Sequence, residues 1–209
     1  MYLNNLDIRN LHEVKRLKLL NGITGIKSAN LIGTHSSKHG SNVSIFSSFV
    51  HLGSDPALIG FVLRPSLTIP RNTYENIIET GYYTVNHIHE SFITQAHYTS
   101  AKFQYGISEF EKCGLKEEYK NDFPAPYVAE SRFKIGVKFQ EELIIKSNQT
   151  KLIVGEVQEI MFPEDCLDDK GLIRLDKLFD IGIGDLNSYY RLQRIKTLPY
   201  ARVDELPKF

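Results

Sequence analysis

Residues 44–49 read Ser-Ile-Phe-Ser-Ser-Phe, and residues 53–62 read Gly-Ser-Asp-Pro-Ala-Leu-Ile-Gly-Phe-Val. Apolar runs bounded by Gly, Pro and Asp are strand signals, so the pair predicts a strand, a Ser-Asp-Pro turn and a second, buried strand. The first strand carries small hydroxyl residues where a core strand usually carries Val or Ile. Small polar side chains let a planar ligand approach the backbone and bond to its N–H and C=O groups. The plainer alternative is a strand whose Ser44, Ser47 and Ser48 simply face water.

The rest of the chain builds around that pair. Leu6, Leu11, Val14 and the apolar residues at 17–20 predict a short surface helix leading into the domain. Residues 29–34 read as a strand, and the polar stretch 35–42 as a hairpin-type connection. Two prolines at 65 and 70 make 64–70 a loop. Asn72 followed by Glu75 has the form of a capping box, Tyr74, Ile77 and Ile78 supply an apolar helix face, and Gly81 is a natural stop. Residues 81–88 return as a strand, 91–102 as a helix, and 106–111 as a helical turn. After a proline-containing loop at 119–127 come the long strand candidates 130–145 and 151–162, joined by the turn 146–149. An acidic turn at 164–170 precedes a strand at 171–175, and the tail from Asp180 is Gly-rich, then Tyr-rich. Twelve Phe and eleven Tyr fit a β-rich interior. The expectation is a mainly β protein, a β-barrel with peripheral helices, in one domain over 1–209. Residues 1–25 are its lead-in, and 176–209 a tail packing on the barrel or on a partner subunit.

Several function classes are set aside by the same residues. Lys+Arg and Asp+Glu are 25 each, which argues against a general nucleic-acid binder. No segment approaches the roughly 18 apolar residues that a membrane span needs, and the N-terminus lacks a signal-peptide core. Cys113 and Cys166 are too few and too far apart for a zinc knuckle or redox pair, and read as reduced thiols of a cytoplasmic protein. His87 and His89 share a strand face, but no third ligand follows at metal spacing, so both read as surface residues at a strand end. Gly182-x-Gly184 lacks the context of a dinucleotide fingerprint and reads as a flexible turn. Neither a nucleophile elbow nor a Walker loop is present.

The order of these fragments carries more than any one of them. The serine-rich strand, Ser-Asp-Pro, Arg64-Pro65 and the helix start at Asn72-Thr73 are followed by Thr-Gly-Tyr-Tyr-Thr-Val-Asn at 80–86. Ser-Glu-Phe-Glu-Lys-Cys-Gly-Leu at 108–115 and Val-Ala-Glu-Ser at 128–131 come after. Across about residues 28 to 160 this resembles the flavin reductase-like proteins with an FMN-binding split β-barrel. The late Gly-Gly-x-Tyr stretch of many relatives is matched only loosely, by residues 181–190 here.

The resemblance implies noncovalent FMN, with FAD as the alternative flavin, and NADH or NADPH as hydride donor. Electrons would pass to a small molecule or free flavin, or to a partner monooxygenase. It also implies a homodimer with flavin sites near the subunit interface. Ser47, Ser48 and Phe49 would line the isoalloxazine ring. Arg64, Thr68, Arg71, Asn72 and Thr73, in the loop feeding a helix N-terminus, would bind the phosphate, with Lys102 as a second cation. The cofactor carries the chemistry, so no general base is required. His97 and Tyr189 are candidates to approach the flavin, or else a half-buried packing histidine and an aromatic anchor of the tail. The competing expectations are a flavin-binding carrier or sensor whose tail covers the ring, and a β-rich protein without a ligand.

Overall fold

The computed structural model describes residues 1–65, 71–104 and 106–208. Thr68 lies outside them. The chain opens with helices α1 (Asn5–Asn10) and α2 (Glu13–Gly22). Strands β1 (Lys27–Ser28), β2 (Asn30–Ser36), β3 (Gly40–Phe46), β4 (Phe49–Ser54) and β5 (Ala57–Leu63) follow. Helix α3 (Asn72–Thr80) leads to β6 (Tyr82–His87). Helices α4 (Ile93–Tyr98) and α5 (Glu109–Cys113) then lead to the short pair β7 (Glu117–Glu118) and β8 (Tyr127–Val128). The long hairpin β9 (Lys134–Ile145) and β10 (Thr150–Met161) precedes α6 (Leu175–Leu178), β11 (Ile181–Ile183) and β12 (Tyr189–Arg191).

Seven strands form one antiparallel sheet in the order β3-β2-β6-β9-β10-β5-β4. Its two outermost strands, β3 and β4, are neighbours in the chain, linked only by Ser47 and Ser48. Three extended residue steps span about 11 Å at most. The sheet must therefore curl until its edges nearly meet, which makes a barrel with an open seam. The residues at 44–49 thus form no single strand: β3 ends at Phe46, the serines cross the seam, and β4 begins at Phe49. Ser48 Oγ accepts from Val62 N–H and donates to Val62 C=O, both at 3.0 Å. It stands in for a main-chain partner just beyond the last β4–β5 register pair, Phe49 with Phe61.

The barrel interior holds Ile32, Phe61, Tyr83, Val85, Val137 and Ile153, with Ile77 reaching in from α3. Leu31 and Val43 belong instead to a second core with Phe92, Ala96, Phe110 and Ile181. Alternation puts Leu31 and Ile32 on opposite faces, so β2 is covered on both sides.

Several local expectations change. The lead-in helix is interrupted, giving α1 and α2. Helix α3 starts with Arg71 at its N-cap position and no side-chain cap bond, so Asn72 is a helical residue and the capping box is absent. Glu75 N–H bonds the Arg71 carbonyl at 3.0 Å. Gly81 does end the helix, at φ 75°. The helix expected over 91–102 is a short 3-10 turn followed by α4, which stops at Tyr98. Thr99 and Ser100 end it by donating their hydroxyls to the Ala96 and His97 carbonyls, each at 2.7 Å. In place of a strand at 171–175, Ile173 makes one bridge to Leu167 before α6 begins. The Asp168 carboxylate holds that turn by accepting from the N–H groups of Lys170 and Leu172. Gly182 lies in β11, between β1 and β12, while Gly184 opens the bend that leads to β12, so only the second glycine belongs to a turn. A Cβ at 182 would stand 2.3 Å from Ile26 Cγ2, and this close approach is what the glycine serves. Among the described residues no helix is long and apolar enough to cross a membrane.

Candidate functional site

The start of α3, the inner end of β3 and the segment after α4 converge on a cavity of about 130 Å³. Arg71, Asn72 and Thr73 line it from α3, Ser44 and Phe46 from β3, and Lys102 from the segment after α4. Four of the residues singled out in the sequence therefore meet in one place. Arg71 and Lys102 are exposed and form no ion pair among the described residues. The first-turn amides of α3 have no side-chain cap, and such amides are free to bind an anion. The hydroxyl of Thr73 is committed elsewhere: it donates to Asn42 Oδ1 at 3.3 Å.

Two buried residues on the cavity wall, Asn42 and Glu109, carry no signal of their own in the sequence. Asn42 Nδ2 donates to Glu109 Oε2, and Asn42 Oδ1 also accepts from Thr34 Oγ1 at 3.5 Å. Burial pushes the Glu109 carboxyl above the usual carboxylate range, against the hydrogen bonds that pull it down. One residue lies in a strand next to a turn, the other in a five-residue helix, and both read locally as solvated.

The ring-lining candidates sit at the seam. Ser47 and Ser48 are half-buried. Among the described residues their main-chain N–H and C=O groups have no partner, while the Ser48 side chain is held by Val62. Phe46 and Phe49 both pack against Phe61, with ring centroids 5.0 and 5.4 Å apart. Phe49 also borders a second cavity of about 220 Å³, with Asn30, His51, Val85 and His87. Arg64 is not brought to the phosphate-sized cavity. Its guanidinium donates to Asn21 Oδ1 at 2.8 Å and so ties β5 to the end of α2.

His97 and Tyr189 meet each other, Nδ1 to Oη at 2.9 Å, and neither lines the 130 Å³ cavity. Burial pushes the Tyr189 hydroxyl up to about 12, so it stays protonated in this bond. The pair fastens the β11–β12 hairpin to α4. His87 is not a plain surface residue: its Nδ1 lies 2.7 Å from Asp180 Oδ2, and its ring stacks on Phe133 at 4.4 Å. Among the described residues no group of three potential ligands could hold a metal ion.

Residues 26–180 match the model of the flavin reductase like domain. A Shewanella frigidimarina NCIMB 400 protein described as a flavin reductase with split barrel domain is 40% identical. Its structure overlays with a TM-score of 0.92, covering 96% of this chain and 100% of that one. Component B of nitrilotriacetate monooxygenase from Bacillus cereus is 21% identical, with a TM-score of 0.81 over 95% and 98% of the two chains. Flavoredoxin of Desulfovibrio vulgaris (Miyazaki F) is also 21% identical, with a TM-score of 0.72 over 84% and 92%. At those identities the last two speak for the fold, a split barrel. The chain belongs to the flavin reductase-like family of flavin-linked oxidoreductases.

Proposed function

We propose that the cavity at the start of α3 holds the phosphate of FMN, that the seam at Ser47 and Ser48 meets the edge of its ring, and that the protein is an NAD(P)H-dependent flavin oxidoreductase. The observation that carries this is the convergence of Arg71, Lys102 and the uncapped α3 terminus on one cavity. That donor set suits a phosphate monoester: two mobile cations offset the charge, and helix amides receive the oxygens. When bound, the flavin itself supplies the hydride and electron chemistry. The residues of this chain bind and orient it, and the unpaired main chain at 47–48 provides donors and acceptors at fixed positions.

The hydride donor in this reading is NADH or NADPH. The acceptor is a small molecule or free flavin, and the Bacillus cereus relative makes a separately encoded monooxygenase a further candidate. A cytoplasmic setting belongs to the same reading, since reduced nicotinamides are supplied there.

A homodimer is also part of the proposal. No residue of α1 or α2 is buried within the chain. Ile195, Tyr200 and Val203 on the tail are 97%, 85% and 90% exposed. Apolar surface of that extent is what a second subunit covers.

Anaerobic titration of the FMN-loaded protein with NADH, then NADPH, checks the activity. Bleaching of the flavin absorbance by one donor is the expected result. Tight FMN binding with no bleaching by either would contradict nicotinamide-dependent turnover and leave a flavoprotein reduced by another partner.

A further inference from the structure

The cavity at the start of α3 is not uniformly cationic. Glu109, 7% exposed, forms part of the same wall. Its carboxyl accepts from Asn42 Nδ2. That bond ties the group to β3. No cation forms an ion pair with it among the described residues. Helix α4, which also packs on α5, carries His97, hydrogen-bonded to Tyr189, and the exposed Tyr98. Arg71 comes from the α3 terminus and Lys102 from the segment after α4, both on the cavity rim. From α5 itself comes Cys113, whose thiol is pushed up by burial and then by Glu109. Glu111 and Lys112 on the same helix are exposed. The facing strand β3 offers Asn42, Val43 and Ser44, none of which titrates.

Glu109 shares the cavity wall with Arg71 and Lys102, so an anion held by those cations enters the same space as its carboxyl, where like charges oppose each other's ionisation. Burial alone already disfavours the Glu109 carboxylate. An arriving phosphate dianion adds a second cost of the same sign.

We propose that Glu109 is the proton-carrying wall of this anion site: the phosphate dianion binds together with one proton taken from solvent onto the Glu109 carboxyl. This rests on the reading of the cavity as the phosphate site. One proton leaves the solvent and one O–H bond forms on Glu109, with no other bond changed. The neutral acid removes the repulsion and adds an O–H donor to the wall. Protonation is favoured in the complex, so the extra affinity is present at low pH. It is lost as pH rises through the titration of Glu109 in the complex.

The test is calorimetric titration of the intact protein with FMN and with riboflavin at pH 7.5, in two buffers of different ionisation enthalpy. The phosphate of free FMN is already dianionic there, its second pKa being about 6, so its own titration adds little. The expected result is uptake approaching one proton per FMN, with none for riboflavin. In Glu109→Gln the uptake disappears. FMN then binds that variant roughly tenfold or more tighter than wild type at pH 8, and the gap narrows as pH falls. FMN binding tighter than riboflavin with no proton uptake would overturn the role of Glu109 and leave the phosphate site standing. Equal binding of the two flavins would overturn the phosphate site itself. Should Glu109→Gln fail to fold, the wild-type proton count decides alone.

Discussion

Ser48 shows how one side chain can settle the course of the backbone. Its hydroxyl makes both hydrogen bonds that a main-chain partner would offer to Val62. Ser48→Ala leaves a half-buried N–H and C=O without partners, so a loss of about 1–2 kcal/mol is expected, read as a lower urea midpoint at unchanged fold. The sequence showed that this segment is unusual but not that a strand ends inside it, because a serine gives no local sign of which backbone it will bond. Arg71 and Lys102 were legible as cations near a helix start, a local pattern, and the structure brings both to one cavity. Asn42 and Glu109 were not legible. Their burial comes from α5 lying against β3, a contact between residues 67 positions apart.

Helix α3 is the element on which binding and stability pull in opposite directions. Arg71 occupies its N-cap position without capping it. Arg71→Ser places a good capping residue there and is expected to stabilise the helix by about 0.5–1 kcal/mol. The same change removes a cation from the cavity. The melting temperature should rise while FMN affinity falls several-fold; a rise in both would show that Arg71 is no ligand. In the long hairpin, Gly155 sits at a register shift of β10. A Cβ there would come within 2.4 Å of Tyr83 Oη and 2.5 Å of Val137 Cγ1, both in the packed barrel. Gly155→Ala should cost about 1–3 kcal/mol by overpacking, measured by thermal unfolding. Elements with a clean local signal, such as the stop of α3 at Gly81 and the hairpin at 146–149, were readable in sequence. Helix lengths around α4 and α5 were not, because side-chain caps decide them.

At the scale of the molecule, the two-residue link between the edge strands closes the barrel, and that closure places the seam beside the cavity. Strand content was visible in sequence, but the order β3-β2-β6-β9-β10-β5-β4 was not, since it depends on pairings far apart in the chain. The exposed apolar tail and the unburied α1 and α2 predict a particle of twice the 23.9 kDa chain mass in sedimentation. A particle of single mass at micromolar concentration would contradict the dimer.

The central claim is that one cavity recognises the flavin through its phosphate. Comparing the dissociation constants of FMN and riboflavin in wild type and in the double variant Arg71→Ala, Lys102→Ala tests it directly. The account predicts that FMN binds wild type at least about tenfold more tightly than riboflavin, and that the variant loses that difference while its riboflavin affinity stays the same. An FMN preference that survives removal of both cations would contradict it.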